Sequence, residues 1–164
     1  MLSPGKRKFI PETLHKIPRA VYYIVYGKKG DSGMISVAAA LVIKNGRVLA
    51  SSRPADRSYS GRWEFPGGKA ESGETLEEAL KREMLEELDM PIAVDRRFRS
   101  IAVSEKLTVT FFLCRPESGS EPNAREHQQW CWADPAELRT LDFLDADRPV
   151  AAELADLLEK QTLR

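Results

Sequence analysis

The sequence predicts an α/β (α+β) fold in which a mixed β-sheet is sandwiched between α-helices. Three observations predict it: most apolar runs are short and strand-like, an amphipathic helix follows a Gly-Gly pair near the middle of the chain, and a second helical pattern ends the chain. Strands and helices in this order bury their apolar faces best in layers. The chain has 164 residues, enough for one domain with a substantial core.

The first 33 residues differ in composition from the rest. They carry seven Lys or Arg and two Asp or Glu, a net charge of +5, which leaves −5 for residues 34–164 because the whole chain is formally neutral. We therefore predict a basic N-terminal extension or linker over residues 1–33 and a folded domain over residues 34–164. Two interpretations stay open for the extension: an upstream addition to a chain that starts at Met34, or a basic arm for an anionic partner.

The domain begins with a predicted β-hairpin. In "ISVAAALVIKNGRVLASSR", two apolar runs are joined by Asn45-Gly46, a pair that tolerates positive φ and favours a two-residue turn. The loop "PADRSYSG" and the stretch "RWEFPGG" follow. A helix is then predicted from about Leu76, with Thr75 as its cap and Glu78 completing a capping box. Its buried stripe recurs every four residues, at Leu76, Leu80, Met84 and Leu88.

After that helix the pattern returns to strands. Two strands are predicted in "IAVDRRFRSIAV" and "LTVTFFLCR", linked by a turn at Ser104–Lys106, and a short strand is predicted in "HQQWCWA". The stretch "DPAEL" predicts a turn into a short helix. The last helix is predicted from roughly Pro149 to Lys160, because proline suits the first helical turn.

The composition disfavours several classes of protein. Cys114 and Cys131 have no Cys-x-x-Cys spacing, and with only two histidines in the chain they do not favour a zinc site, so we expect buried thiols. No apolar run approaches the ~20 residues of a membrane-spanning helix. The apolar stretch "AVYYIVY" is not followed by a convincing signal-peptide cleavage site. We therefore expect a cytoplasmic protein without a membrane partner.

The second half of the central helix carries a cluster of acids. Glu83, Glu86 and Glu87 lie three and four residues apart on one side of the helix, where like charges cost about 0.2–0.5 kcal/mol per pair. Mg²⁺ prefers oxygen ligands and often bridges carboxylates to substrate phosphates, so bound cations would turn this repulsion into a metal site. Gly67, with no Cβ in the way, would let its carbonyl approach the same ions. The alternative is an ordinary amphipathic helix with a solvated charged face.

The acids belong to a longer pattern. Read from Gly68, the chain follows G-x5-E-x7-R-E-U-x-E-E-x-G-U, where U is a bulky aliphatic residue, except that Asp89 stands in place of the last glycine. This stretch resembles the Nudix box, and the segments "SSRPADRSYSGRWEFPGGK" and "LDADRPV" resemble the MutT-like branch of that family. The matching residues are Gly68, Glu74, Arg82, Glu83, Met84, Glu86, Glu87 and Met90.

The resemblance implies the Nudix fold and hydrolysis of nucleoside triphosphates to monophosphate and pyrophosphate. The implied cofactor is Mg²⁺, for which Mn²⁺ can substitute. Arg82 would orient the acids through charge-assisted hydrogen bonds, and Glu86 or Glu126 would act as general base, with His127 as an alternative to Glu126. The implied catalytic and metal-binding set is Arg82, Glu83, Glu86, Glu87 and Glu126, together with the carbonyl of Gly67.

The same resemblance suggests where the substrate binds. Arg53 falls where the family has a substrate-contacting arginine, and Asp147 resembles its base-reading residue, so that its carboxylate would accept hydrogen bonds from a guanine-type or cytosine-type base. Plainer alternatives stay open: a surface ion pair for Arg53, and a cap of the last helix for Asp147. An aromatic ring, that of Phe65 or Trp63, would stack on the base unless it packs in the core. The expected substrate-binding set is Arg53, Phe65, Gly68, Lys69 and Asp147.

The expected function is the sanitation of the nucleotide pool, which supports DNA repair, by hydrolysis of oxidised or modified nucleotides such as 8-oxo-dGTP. The alternatives are Nudix hydrolysis of 5-substituted CTP or dCTP, ADP-ribose, a dinucleoside polyphosphate or an RNA 5′ end. A non-catalytic nucleotide-binding module has less support, since it has no need of the full set of glutamates. The expected partner is a small nucleotide rather than nucleic acid, and the protein is expected to be a monomer or homodimer.

Overall fold

Seven strands and three helices make up the residues that the computed structural model describes, which are 33–53, 59–124 and 129–163. Apart from Gly33, the predicted extension lies outside the described residues, as do Glu126 and His127. The helices are α1 (Leu76–Leu88), α2 (Pro135–Thr140) and α3 (Arg148–Glu159). The strands are β1 (Ile35–Lys44), β2 (Arg47–Ser52), β3 (Trp63–Glu64), β4 (Gly67–Lys69), β5 (Ile92–Ser104), β6 (Leu107–Pro116) and β7 (Trp130–Ala133).

The strands form one mixed sheet, as predicted. Its main path runs in the order β3-β2-β1-β6-β5, with β4 paired to β1 and β7 paired to β2. The central strands β1 and β6 are parallel, whereas every other pairing among the described strands is antiparallel. The predicted hairpin joins β1 to β2, and its turn residues have the positive φ angles of 52° at Asn45 and 71° at Gly46.

Helices cover both faces of the sheet, which confirms the predicted sandwich. Successive side chains of a strand point to opposite faces, so β1 contributes to two apolar clusters. Ala39 and Leu41 pack in the cluster that contains the buried side chains of α2 and α3. Ala38 and Ala40 pack in the cluster that contains the buried side chains of α1. The strand at the centre of the sheet thereby ties all three described helices to one scaffold.

Helix α1 has the ends that its sequence predicts. Thr75 Oγ1 accepts from the Glu78 backbone N–H at 3.2 Å, and Glu78 Oε2 accepts from the Thr75 N–H at 2.8 Å, which is the predicted capping box. Asp89 ends the helix in the left-handed conformation with φ 48° and ψ 34°. Asp89 therefore adopts the conformation for which the sequence pattern has glycine.

Two elements were not predicted, and both are very short. Strands β3 and β4 contain two and three residues, too few to reveal an alternating pattern. Cys114 is buried as expected, whereas Cys131 is only partly buried. Among the described helices, none combines the length and the apolar character needed to cross a membrane.

Candidate active site

Arg82 lies at the centre of a hydrogen-bond network that joins α1 to β4 and to the loop between them. Its Nε and Nη2 donate to the two carboxylate oxygens of Glu74 at 2.9 and 3.0 Å. Its Nη1 donates to Glu83 at 2.8 Å and to Glu86 at 3.2 Å, and Nη2 also donates to the Lys69 carbonyl at 3.1 Å. These contacts engage all five N–H donors of the guanidinium with protein acceptors. Arg82 therefore holds the acids in place.

The charges of this network stabilise one another. The hydrogen bond from Arg82 is the main reason that the pKa of Glu74 lies below its usual value, and the Glu71 backbone N–H adds to the effect. The hydrogen bonds to Glu74 and Glu83 in turn raise the pKa of Arg82. Both groups stay ionised at neutral pH, so the link between the loop and the helix is a pair of charges throughout the physiological range.

The two glycines of the motif have different structural tasks. A Cβ atom on Gly67, which has φ +152°, would lie 2.1 Å from the Ala38 carbonyl oxygen of the neighbouring strand. A Cβ atom on Gly68 would instead lie 2.2 Å from Cδ of Glu83. Gly67 thus permits the pairing of β4 with β1, and Gly68 gives the Glu83 carboxylate its place against β4.

The acceptor atoms around Arg82 are of the type that a hard divalent cation prefers as ligands. They are all oxygens, from the acids on one side of α1, and the Glu83 carboxylate touches the backbone of the strand that carries the Gly67 carbonyl. Within the described ranges, no three His, Cys, Asp or Glu side chains converge as a ready metal site. Glu83 and Glu86 are hydrogen-bonded to Arg82 instead. The predicted ligand Glu126 lies outside the described residues.

A second group of polar residues forms around β3. Arg53 Nη1 lies 2.6 Å from Glu64 Oε2, and the Arg53 side chain is only 9% exposed, so the ion pair predicted as an alternative is present and largely buried. Glu64 was not singled out from the sequence. Its signal is the alternation in "WEF", which turns the acid between two aromatic residues to the opposite side of the strand.

Asp147 belongs to this second group through its side chain. It is 6% exposed, and its Oδ1 accepts from the backbone N–H of Phe65 at 2.9 Å. Burial raises the pKa of Asp147 to about 7, the charge of Glu64 adds to the rise, and the Phe65 hydrogen bond and nearby arginines oppose it. The side chain makes no capping hydrogen bond to α3, so the expectation that it caps the last helix is wrong.

The ring of Phe65 packs in the core. It is 4% exposed, stacks on Phe143 with centroids 5.1 Å apart, and meets the edge of Phe111 at 6.2 Å. This packing leaves no ring face for a base, which corrects the expected stacking role. What Phe65 contributes to the site is its backbone N–H, which fixes Asp147. Trp63 is half-buried and packs against the same core.

The structure thus gathers predicted residues into two groups, and it adds Glu64, which was not predicted, to the second. The first contains Gly67, Gly68 and Lys69 of β4, and Arg82, Glu83 and Glu86 of α1, with Glu87 half-buried on the same helix. The second contains Arg53, Glu64, the Phe65 backbone and Asp147. No expectation about Glu126 or His127 can be compared with this arrangement, because both lie outside the described residues.

Comparison with known proteins gives consistent matches. The NUDIX domain family model matches residues 34–155. The chain is 34% identical over 119 residues to an Escherichia coli CTP pyrophosphohydrolase, covering 71% of this chain and 88% of that protein. It is 33% identical over 117 residues to the E. coli 8-oxo-dGTP diphosphatase, covering 70% and 90%. The solution structure of the E. coli ORF135 protein matches with TM-score 0.65 and 29% identity, over 80% of this chain and 96% of that one.

The different tasks of the two glycines can be separated by substitution. Gly67→Ala is expected to lower the free energy of unfolding by more than about 1 kcal/mol, because its backbone angle and its contact with β1 both exclude a side chain. Gly68→Ala is expected to change stability much less, since only the Glu83 side chain must move, but to lower kcat by up to about 10²-fold. Urea unfolding and steady-state kinetics measure the two effects. Equal losses of stability in both variants would contradict this division.

The raised pKa of Asp147 predicts a pH-dependent stability. Between the ordinary pKa of an aspartic acid and about 7, the folded state binds a proton that the unfolded state has released, so raising the pH through this window destabilises the fold. The loss is at most about 1.4 kcal/mol per pH unit. Asp147→Asn keeps an acceptor for Phe65 and should remove this part of the pH dependence. If the free energy of unfolding changed with pH in the same way in both proteins between pH 4 and 8, the expectation would be wrong.

Proposed function

Because the chain belongs to the NUDIX domain family and is a hydrolase of phosphoric anhydride bonds, we propose that it is a Mg²⁺-dependent nucleoside triphosphate pyrophosphohydrolase. In this proposal it releases a nucleoside monophosphate and pyrophosphate, and it sanitises oxidised or modified nucleotides in the cytoplasm as a monomer or homodimer. The observation that carries the proposal is the Arg82 network, which fixes Glu83 and Glu86 beside the backbone of β4.

The metal site proposed here uses oxygen atoms only. Glu83, Glu86, Glu87 and the Gly67 carbonyl would hold Mg²⁺ or Mn²⁺, and Glu126 would join them. When bound, the cation neutralises the phosphate chain and lowers the pKa of an attacking water. Because all donors of Arg82 are engaged with the protein, Arg82 serves as a positioning residue for these acids rather than as a contact to the substrate.

Of the two candidates for general base, Glu86 and Glu126, Glu86 is the one that lies among the described residues. Its side chain is 60% exposed, and its hydrogen bond to Arg82 is 3.2 Å long, against 2.8 Å for Glu83. Glu86 is therefore held more loosely and can reach a water molecule, whereas Glu83 is fixed between Arg82 and Gly68. Glu126 remains the alternative base, as the resemblance implies.

In the proposed reaction a water oxygen attacks the β-phosphorus while the glutamate accepts the water proton. The bond from the β-phosphorus to the bridging oxygen of the α-phosphate breaks, and its electron pair stays on the nucleoside monophosphate. The water oxygen is then bonded to the β-phosphorus of the pyrophosphate that leaves. Charge is spread over the phosphate oxygens in such a reaction, so positioning and electrostatics supply most of the acceleration. The backbone of Gly68 and the Lys69 side chain are proposed to contact these phosphates.

The group around Asp147 supports a role in choosing the base. Asp147 and Glu64 present carboxylate oxygens close to Arg53, and such oxygens accept hydrogen bonds from amino and N–H groups of bases. An oxidised guanine nucleotide such as 8-oxo-dGTP is the first candidate, by similarity to the E. coli 8-oxo-dGTP diphosphatase. A 5-substituted dCTP or CTP is the second, because the chain is equally similar to a CTP pyrophosphohydrolase and Asp147 suits the amino group of cytosine.

One experiment separates these functions. Release of pyrophosphate and of orthophosphate is measured with 8-oxo-dGTP, dGTP, 5-methyl-dCTP, ADP-ribose and capped RNA, with Mg²⁺ and after chelation. The proposal expects pyrophosphate from a modified nucleoside triphosphate and loss of turnover on chelation. Orthophosphate as the first product, or preference for ADP-ribose or RNA, would replace it with another hydrolase function. Tight nucleotide binding without turnover would favour a non-catalytic module.

The glutamates can be tested individually. Glu86→Gln and Glu87→Gln are each expected to lower kcat by roughly 10²–10⁴-fold, because a neutral amide neither accepts the proton nor holds a cation as well. The fold should persist, which circular dichroism and thermal unfolding can verify. Glu77→Gln, an acid in the first turn of the same helix, is the matched control and should keep its activity. Near-full activity in both site variants would refute the assignment.

A further inference from the structure

The segment between α2 and α3, residues 141–147, carries Asp147 and lies along β3. The Trp63 N–H donates to the Asp142 carbonyl at 2.9 Å, and the Leu144 N–H donates to the Trp63 carbonyl at 2.8 Å. Beyond Leu144 the backbone turns away from β3, with the Asp147 N–H bonded to the Leu144 carbonyl at 3.0 Å. Strand β3 therefore fixes the start of this segment through its backbone, and past Leu144 the contact from this side is the hydrogen bond from the Phe65 N–H to the Asp147 side chain.

The side chain of Arg62 spans that turn. Its Nη2 donates to the Phe143 carbonyl and to Asp145 Oδ1, the latter at 3.2 Å, and its Nε lies 3.3 Å from Asp142 Oδ2. The side chain is only 18% exposed. One planar guanidinium thus contacts the segment on both sides of Leu144, where the backbone leaves β3, and a single ammonium group could not make this set of contacts.

The charge of Arg62 also affects the pKa of Asp147. The charge of Arg62 and that of Arg53 both lower the pKa of Asp147, against the effect of burial and of Glu64. The backbone of Arg62 is fixed as well, since its carbonyl accepts from the Arg53 N–H at 2.9 Å. Arg62 is therefore held at the end of β2, the strand end that also carries Arg53 of the proposed base site.

We infer that Arg62 is a positioning residue for base selection, which fixes the turn over residues 142–145 against β3 and so sets where the Asp147 carboxyl meets the nucleotide. This inference rests on the proposed function, because it takes the Asp147 group as the base site. A purely structural role would make Arg62 matter for stability alone. The inference requires that its loss changes how the enzyme distinguishes bases.

Arg148 provides a matched control on the same acids. Its Nη2 donates to the Phe143 carbonyl at 3.3 Å and lies 3.5 Å from Asp142 and 3.6 Å from Asp145, but its side chain is 61% exposed. Exposed ion pairs at such distances contribute little. Arg148 is not among the charges that shift the pKa of Asp147. Removing Arg148 changes the net charge by the same amount as removing Arg62, but it leaves the Arg62 contacts to Asp142, Phe143 and Asp145 in place.

The test compares Arg62→Met, Arg62→Lys and Arg148→Met in the full chain. KM and kcat are measured for 8-oxo-dGTP, dGTP and 5-methyl-dCTP, and the Asp147 carboxyl is titrated by ¹³C NMR without nucleotide. In Arg62→Met we expect KM for the preferred nucleotide to rise about tenfold, which corresponds to roughly 1.4 kcal/mol, with kcat little changed. The differences in kcat/KM among the three nucleotides should become smaller, and the Asp147 carboxyl should titrate at higher pH.

The two other variants give the expected pattern its specificity. Arg62→Lys keeps the charge but not the planar guanidinium. Asp147 should therefore titrate as in the wild type, while KM stays raised as in Arg62→Met. Arg148→Met should match the wild type in every readout. An unshifted Asp147 titration in Arg62→Met, or equal changes in Arg62→Met and Arg148→Met, overturns the inference. Failure of the wild type to hydrolyse any of the nucleotides would refute the proposed function, while the titration would still test the hold of Arg62.

Discussion

The guanidinium of Arg82 is the constraint on which the candidate site depends. Three glutamates on one side of a helix repel one another, yet two of them accept hydrogen bonds from the Arg82 guanidinium. The same guanidinium also binds Glu74 and the backbone of β4. The partners of Arg82 come from three parts of the chain: Glu74 from the loop, the Lys69 carbonyl from β4, and Glu83 and Glu86 from the helix. The position of the acids relative to the glycines is therefore set by one side chain whose five donors are all engaged.

The sheet keeps the proposed chemistry apart from the proposed choice of substrate. Strand β4 pairs with β1 and places the glycines beside the acids of α1, whereas β3 pairs with β2 and places Arg53 and Glu64 together. Asp147 joins the second group from the other end of the chain, through the backbone of Phe65. In this proposal, a substitution near β3 would alter which base is accepted without disturbing the proposed metal ligands, which suits a scaffold shared by hydrolases with different substrates.

Local signals in the sequence were sufficient for much of the fold. The hairpin at Asn45-Gly46, the capping box at Thr75 and the buried stripe of α1 all arise from residues within a few positions of one another. The structure has the hairpin and the box as predicted, and of the stripe it buries Leu80, Met84 and Leu88 fully and Leu76 in part. The left-handed end of α1 is present even though Asp89 replaces the expected glycine, because packing on both sides fixes the chain there. The short strands β3 and β4 carry no periodic signal in the sequence. They are defined by their pairing with β2 and β1, respectively.

What the sequence could not reveal depends on contacts between distant residues. The hydrogen bond from Phe65 to Asp147 joins positions 82 residues apart, so neither the burial of that carboxyl nor its failure to cap α3 follows from its neighbours. The ring of Phe65 was expected at a base because aromatic faces stack on nucleobases, with core packing as the alternative, and the aromatic partners that pack it in the core lie far along the chain. Glu64 was overlooked for the same reason, since its partner Arg53 becomes adjacent only through the pairing of β2 and β3.

A double-mutant cycle on Glu74 and Arg82 tests the central claim most directly. Glu74→Gln, Arg82→Gln and the double variant are compared by kcat for pyrophosphate release, with circular dichroism to verify the fold. If Glu74 acts by holding Arg82, and Arg82 by holding the acids, the double variant should be no slower than Arg82→Gln alone. Losses that multiply in the double variant would mean that the two residues act independently, and the network described here would not be what positions the site.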